Sequence, residues 1–268
     1  MMSRIGQTFD KLRIQKKKAL IPYIMAGDPD LSTTQALVLE LEKNRADIIE
    51  LGVPFSDPLA DGPVIQRASE RSLRNKTSLR GVMDLVRTLR RQTQIPLVLM
   101  SYYNPIYKYG EERFAQDAAV CGVDGVIIPD LPPEEAGQLL PVSYRVGLDT
   151  IFLLAPTSTP DRIRRVSESS RGFIYYVSLT GITGAAMGSL GEIKNKIQEI
   201  RRDSAKPVAV GFGISTPDHV SQVAQWADGV IVGSALVKLV ESHLQDPHLV
   251  KTVGGFVKNL RQALSNIP

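Results

Sequence analysis

One stretch of the chain joins a buried strand to a proline-rich loop, and it reads ADIIELGVPFSDPLADGP over residues 46–63. The apolar run at its start predicts a strand, and Glu50 lies inside that run. A buried carboxylate is costly unless a partner stabilises it or a reaction uses its proton. The three prolines of the loop fix φ, so Asp57 and Asp61 are held in place. Held carboxylates near a strand end indicate an acid/base site, although a structural glutamate beside a turn gives the same pattern.

The same unit, a short apolar strand followed by a helix, repeats on both sides of this stretch. The predicted strands cover residues 20–25, 47–50, 95–100, 124–128, 149–154, 172–178, 207–210 and 228–232. The predicted helices cover residues 2–14, 31–43, 64–75, 78–91, 111–120, 134–144, 161–168, 190–201, 218–226 and 234–244, with a last one from 248 to the end.

Strands that are hydrophobic throughout predict a parallel sheet covered by helices. About eight such units over roughly 250 residues predict a closed (β/α)8 barrel, or TIM barrel, preceded by an extra N-terminal helix. The alternative is an open doubly wound sheet, but no Gly-x-Gly-x-x-Gly follows the first strand. No change of composition marks a boundary, so we predict one domain over residues 1–268.

Composition excludes several classes of function. The net charge is only +4, and the lysines and arginines are spread along the chain without alternating aromatics, so we expect no nucleic-acid partner. No segment approaches the ~18 apolar residues of a membrane span. The single cysteine, Cys121, excludes an internal disulfide and fits a reducing cytosol. We therefore expect a cytoplasmic protein.

The loops after the seventh and eighth predicted strands have the features of a phosphate site. Gly211 and Gly213 follow the seventh strand, and Gly233 and Ser234 follow the eighth at a helix start. Glycine lets the backbone approach an anion, and a helix N-terminus supplies free N–H groups and a favourable dipole. Glycine also often merely ends a strand, but both pairs stand where TIM barrels commonly bind phosphate.

Two further features concern the walls of the site. Residues 179–191 form a glycine-rich loop that is longer than the ~2–6 residues usual after a strand. This length favours a lid that closes over the site, although a surface loop without a function is the alternative. Tyr23, Tyr102 and Tyr175 stand near the ends of predicted strands one, three and six. They could line a pocket for a flat apolar group of the substrate, although aromatic residues at such positions more often belong to the hydrophobic core.

The residue types that are missing narrow the chemistry. All three histidines fall in the late helices, which removes a histidine base, a histidine-rich metal site and a catalytic triad. No lysine ends a predicted strand, because Lys206 precedes the seventh strand and Lys108 lies in a predicted loop, so an imine-forming aldolase is disfavoured. What remains is Glu50 with Asp61, a carboxylate site suited to proton transfer on a phosphorylated substrate.

With these residues in view, the chain resembles the α subunit of tryptophan synthase over almost its whole length, from about residue 5 to 245. The motifs that carry the resemblance are residues 50–63, 181–184, 211–215 and 233–234. One departure stands in the lid. Many relatives have a basic residue directly after its Thr-Gly, whereas this chain has Ala185-Ala186-Met187.

The resemblance implies cleavage of indole-3-glycerol phosphate to indole and glyceraldehyde 3-phosphate, a retro-aldol reaction in which the indole ring is the electron sink. Glu50 would be the acid/base, and Asp61 would hold the ring N–H and stabilise the positive charge that develops there. Substrate contacts would come from Thr183, Gly184, Gly211, Phe212, Gly213, Gly233 and Ser234, with the phosphate bound by the glycines and Ser234.

The resemblance also implies a partner, a β subunit that carries pyridoxal phosphate and receives the indole in an αββα heterotetramer. Asp57 and Pro58 would contact that partner. The chain itself shows no cofactor motif and no metal site, so we expect no cofactor in it.

Three alternatives remain. Another phosphate-binding barrel enzyme is possible, such as an isomerase or the synthase that makes indole-glycerol phosphate, but that synthase would need a lysine at a strand end. A degenerate α subunit that only activates its β partner is a second alternative, although both Glu50 and Asp61 are present. A free-standing indole producer is the third, and the sequence does not separate it from a subunit.

Overall fold

The computed structural model describes residues 3–178, 190–211 and 213–265. In these ranges the strands are β1 (Ala19–Met25), β2 (Ile49–Gly52), β3 (Leu97–Met100), β4 (Gly125–Ile127), β5 (Asp149–Ile151), β6 (Leu153–Leu154), β7 (Ile174–Val177), β8 (Val208–Gly211) and β9 (Gly229–Val232). The helices are α1 (Arg4–Ile14), α2 (Leu31–Lys43), α3 (Pro63–Arg74), α4 (Leu79–Leu89), α5 (Tyr103–Tyr109), α6 (Glu111–Cys121), α7 (Leu139–Val146), α8 (Pro160–Ser169), α9 (Leu190–Asp203), α10 (Pro217–Ala224), α11 (Ser234–Ser242) and α12 (Leu249–Ser265).

The strands form one parallel sheet in the order β5-β4-β3-β2-β1-β9-β8-β7-β6. β5 pairs with β4 and β6 pairs with β7, and only Phe152 separates β5 from β6 along the chain. The two segments therefore occupy one strand position, where a single strand changes neighbours and closes the ring. This gives the eight positions of a TIM barrel, and the predicted fold is confirmed.

Helix α1 closes the amino-terminal end of the barrel, as the predicted extra helix. Its buried residues are Ile5, Phe9 and Leu12, one face of an amphipathic helix. The Phe9 ring lies 5.7 Å from the ring of Phe173, which precedes β7. Apolar side chains of α1 thus cover this end, whereas the active sites of TIM barrels lie at the opposite end, where the strands have their carboxyl ends.

Aspartates at the same amino-terminal end tie neighbouring strands together. Three of them accept a backbone N–H from the first two residues of an adjacent strand and also pair with an arginine; these are Asp47, Asp124 and Asp228. Asp124 accepts from the Leu97 N–H at 2.8 Å, from Arg90 at 2.5 Å and from Arg4 at 2.9 Å. Since Asp124 is only 5 % exposed, these partners compensate its buried charge.

One helix was not predicted, and another was predicted to begin too early. Lys108 lies in helix α5 and not in a loop, because Pro105 falls in the first turn of that short helix, where proline is tolerated. Helix α7 begins at Leu139 and not at residue 134, since Gly137 would stand inside the longer helix at a cost in backbone entropy. Within the ranges that the structure describes, no helix is long and apolar enough to cross a membrane.

Candidate active site

Glu50 lies in β2, and its side chain lies inside the barrel, towards the carboxyl ends of the strands. Its Cα pairs with Tyr23 of β1 on one side and with Val98 of β3 on the other, and the residue is 1 % exposed. Among the described residues, neither carboxyl oxygen has a hydrogen-bond partner. Burial, and after it the negative charge of Asp61, raises the pKa of Glu50 to about 8. The carboxyl group therefore holds its proton at neutral pH.

Asp61 lies in the loop between β2 and α3, directly before Gly62, the residue that caps helix α3. It is half-buried. Burial raises the pKa of Asp61 to about 6, and a hydrogen bond from the Tyr102 hydroxyl opposes this rise. Asp61 is thus mostly ionised at neutral pH while Glu50 is protonated. Two carboxyl groups whose pKa values are pushed apart can serve as an acid and as a stabilising anion.

Tyr102 follows β3 and fixes the loop that carries Asp61. Its hydroxyl oxygen accepts a hydrogen bond from the Ala60 N–H at 2.9 Å and donates to the Asp61 carboxylate. Its ring packs against Phe55, with 5.4 Å between the centroids. The sequence offered Tyr102 only as an apolar wall; its hydroxyl contacts to the loop were not predicted.

Tyr23 and Tyr175 line the same interior from β1 and β7. Each hydroxyl lies against the last residue of the next strand, Gly52 for Tyr23 and Gly211 for Tyr175, and a Cβ at either glycine would overlap it. Burial, and after it the charges of the site carboxylates, raises the pKa of both tyrosines. The two phenols therefore remain neutral and share the barrel interior with Glu50.

The residues predicted to bind phosphate stand at the ends of the adjacent strands β8 and β9. Gly233 is the cap residue of helix α11 and offers no side-chain hydrogen bond, so the N–H groups at the helix start are open to an anion. Ser234 is the first residue of α11 and is half-buried. Gly213 has φ +74°, in the left-handed region that favours glycine. The strand order β2-β1-β9 places this end two strands from Glu50.

Several predicted residues lie outside the described ranges, namely Thr183, Gly184 and Phe212, together with residues 179–189 of the predicted lid. The predicted partner contacts belong to the loop that follows β2. There Asp57 is exposed, Pro58 is half-buried, and the neighbouring Leu59 side chain is 94 % exposed. An exposed loop beside the barrel mouth is accessible to a partner, and the contacts themselves stay a prediction.

Ser69 of α3 is a further residue that supports the site, and sequence reasoning missed it. Its Oγ accepts from the Phe55 N–H and donates to the Phe55 carbonyl oxygen, both at 2.9 Å. It therefore fixes the start of the loop that carries Asp61. Its position on the buried face of an amphipathic helix was the available signal, because a serine there needs a partner. Within the described part of the chain, no group of three or more His, Cys, Asp and Glu side chains could hold a metal ion.

Comparison with known proteins places this geometry in a family. The family model described as tryptophan synthase alpha chain matches residues 9–264. The tryptophan synthase alpha chain of Geobacter sulfurreducens is 54 % identical over 265 residues, which covers 99 % of this chain and 100 % of the relative. That of Dehalococcoides mccartyi is 49 % identical over 263 residues, or 98 % of this chain and 100 % of the relative.

Solved structures agree. The crystal structure of tryptophan synthase subunit alpha from Legionella pneumophila has a TM-score of 0.93 at 42 % identity, and both chains are covered completely. A structure of Mycobacterium tuberculosis tryptophan synthase gives a TM-score of 0.90 at 39 % identity, covering 98 % of this chain and 99 % of the other. The chain belongs to the tryptophan synthase alpha chain family.

Proposed function

We propose that this chain cleaves indole-3-glycerol phosphate to indole and glyceraldehyde 3-phosphate, with Glu50 as the acid/base and Asp61 as the stabilising anion. Membership of the family makes the chain a lyase of this kind. The observation that carries the residue roles is the buried carboxyl group of Glu50. It has no hydrogen-bond partner among the described residues, and its pKa of about 8 keeps it protonated beside Asp61.

In the first step Glu50 gives its proton to C3 of the indole ring. A C–H bond forms at C3, and the positive charge appears on the ring nitrogen. Asp61, ionised at neutral pH, accepts a hydrogen bond from the ring N–H and stabilises that charge. An anion held in place before the charge appears needs no reorganisation at the moment of reaction.

In the second step the Glu50 carboxylate removes the proton from the hydroxyl group on the carbon attached to C3. The oxygen forms the aldehyde double bond, and the bond between that carbon and C3 breaks. Its electron pair returns to the ring, which leaves neutral indole, and Glu50 is protonated again. A carboxylate with a raised pKa is a stronger base than an exposed one, so burial assists both halves of the cycle.

The phosphate group binds at the ends of β8 and β9, through the N–H groups at the start of α11 and the Ser234 hydroxyl. The open helix start at Gly233 and the left-handed backbone at Gly213 support this assignment. Thr183, Gly184, Gly211 and Phe212 are assigned to substrate contacts by the family motif. Tyr23, Tyr102 and Tyr175 flank the indole ring.

No cofactor is needed in this chain, because the indole ring itself accepts the electron pair. We propose that indole passes to a β subunit carrying pyridoxal phosphate in an αββα heterotetramer, with Asp57 and Pro58 at the contact. We also propose that residues 1–268 form a single domain and that the protein is cytoplasmic.

The cofactor-free reaction is tested with chelators and with borohydride. Chelators should leave indole release unchanged, and so should borohydride added together with the substrate. A covalent adduct between protein and substrate after borohydride treatment would contradict the cofactor-free reaction.

The residue assignment is tested by indole release from Glu50→Gln. The amide keeps the size of the side chain but cannot transfer the proton, so kcat should fall at least ~100-fold. The matched control is Glu70→Gln on α3. The Glu70 side chain is 64 % exposed, so this substitution should leave the rate of indole release unchanged. Near-normal indole release from folded Glu50→Gln would show that another group carries the proton.

The partner is tested by adding a β subunit. An ordered loop after β2 should raise the competent fraction of the enzyme, so we expect stimulation of at least ~10-fold, blunted in Asp57→Ala. If the isolated wild-type chain releases indole as fast without the β subunit as with it, the protein is a free-standing indole producer.

A further inference from the structure

Helix α3 begins directly after the loop that carries Asp61 and is bound to the elements on both sides of it. Gln66 donates from Nε2 to the Asp61 carbonyl oxygen at 2.8 Å, and Ser69 is bonded to Phe55 at the start of the loop. Ser72 donates from Oγ to the carbonyl oxygen of Ala26, beyond the end of β1, at 2.6 Å. The position of α3 therefore sets the position of Asp61.

Arg71, one residue before Ser72, joins two other elements to α3. Its Nε and Nη2 donate to the two carboxylate oxygens of Asp28, each at 2.8 Å, and its Nη1 donates to Oε1 of Glu241 at 2.7 Å. Asp28 follows β1 and is 2 % exposed, and the Arg71 side chain is 17 % exposed. A planar, bidentate pair of this kind fixes orientation as well as distance.

Glu241 lies near the carboxyl end of α11, the helix whose other end is the proposed phosphate site. Arg67 reinforces it with hydrogen bonds of 2.7 and 2.8 Å. Seven residues separate Glu241 from Ser234, or about 10 Å along a helix. Between the two ends, Val237 packs in one apolar cluster with Ile65 and Ala68 of α3. The short helix α11 is thus fixed to α3 in its middle and at its far end.

We propose that the Asp28–Arg71–Glu241 network positions the start of α11, and with it the substrate phosphate, relative to Asp61. Arg71 and Glu241 are positioning residues, because neither touches the reacting atoms. The inference rests on the proposed phosphate site at Gly233 and Ser234. Because α11 has only nine residues and no side-chain cap at its start, a tilt at Glu241 redirects the N–H groups that face the anion.

The test uses Glu241→Ala, since an Arg71 variant would leave the buried Asp28 unpaired and could unfold the chain. We expect the KM for indole-3-glycerol phosphate and the inhibition constant of inorganic phosphate both to rise about tenfold, while kcat changes less than about threefold. Glu241→Gln retains an acceptor oxygen and should recover part of the loss. The control is Glu70→Ala, an exposed glutamate of α3 that forms a weak ion pair of 4.0 Å with Arg74.

Binding of the dephosphorylated substrate, indole-3-glycerol, separates positioning from general damage. Glu241→Ala should bind it as wild type does; equal loss of both ligands would overturn the inference. Ser234→Asp, which places a negative charge at the helix start, tests the phosphate site itself. If Ser234→Asp does not weaken phosphate binding, the proposed phosphate site is wrong. If it does and Glu241→Ala binds phosphate normally, only the positioning role fails.

Discussion

Glu50→Gln should make the folded chain more stable while it removes activity. In the folded state the carboxyl group has a pKa of about 8, whereas an ordinary glutamate titrates at 4.5. Between these values the unfolded chain releases the proton and the folded chain keeps it. Stability of the wild type therefore falls as pH rises from 4.5 towards 8, and glutamine, which does not ionise, escapes this loss.

The magnitude follows from the size of the pKa shift. Each pH unit between the two pKa values costs about 1.4 kcal/mol of unfolding free energy. At pH 5 the cost is below about 1 kcal/mol, and at pH 7 it is about 3 kcal/mol. The free energy of unfolding of Glu50→Gln, relative to wild type, should thus increase by about 2.5 kcal/mol between pH 5 and pH 7. Desolvation of the amide itself is common to both pH values and cancels in this difference.

The assay is urea denaturation of both proteins at pH 5 and pH 7, with the m-value checked for equality. Glu70→Gln serves as the control, because an exposed, weakly paired glutamate should give a difference below about 0.5 kcal/mol at both pH values. A constant difference between Glu50→Gln and wild type across this range would refute the reasoning, since it would mean that Glu50 ionises in the fold as it does in the unfolded chain.

Three other changes test the surroundings of the site. Tyr102→Phe removes the hydrogen bond that lowers the pKa of Asp61, so the acid limb of the pH–rate profile should move to higher pH; an unmoved limb would contradict that role. Gly52→Ala should reduce indole release at least ~10-fold by displacing Tyr23, and adding Tyr23→Phe should restore part of it; no restoration would mean that the overlap is not the cause. Asp124→Asn should lower the unfolding free energy by about 3 kcal/mol in urea, because arginines that are partly buried lose their charged partner, while the folded protein keeps its kcat.

Much of the fold could be predicted because each strand is buried on both faces and each helix has one apolar face. Helix α2 was predicted with its correct ends, Leu31 and Lys43, and the structure shows that its N-cap is Asp30, whose carboxylate accepts from the Thr33 N–H. Helix α5 was missed and the start of α7 was misplaced, and these are the elements where Pro105 and Gly137 interrupt the pattern. The division of one strand at Phe152 could not be predicted, because it depends on which neighbours each half meets.

In the candidate site, only the residues that are unusual in their local sequence could be predicted. Glu50 and Asp61 stand out because a carboxylate in an apolar strand and another in a proline-rich loop are unusual. Their separated pKa values depend on burial in the closed barrel, which no local pattern reports. The Arg71–Glu241 pair joins residues that are 170 positions apart in the sequence, so it could be identified only from the tertiary structure.

The central claim is that a protonated Glu50 and an ionised Asp61 act together, and the pH dependence of kcat/KM for indole release tests it most directly. Asp61 must lose its proton and Glu50 must keep its own. The rate should therefore rise through a pKa near 6 and fall through a pKa near 8, with its maximum between them. A rate that stays level from pH 7 to pH 9 would contradict the account, because Glu50 would then not need to be protonated.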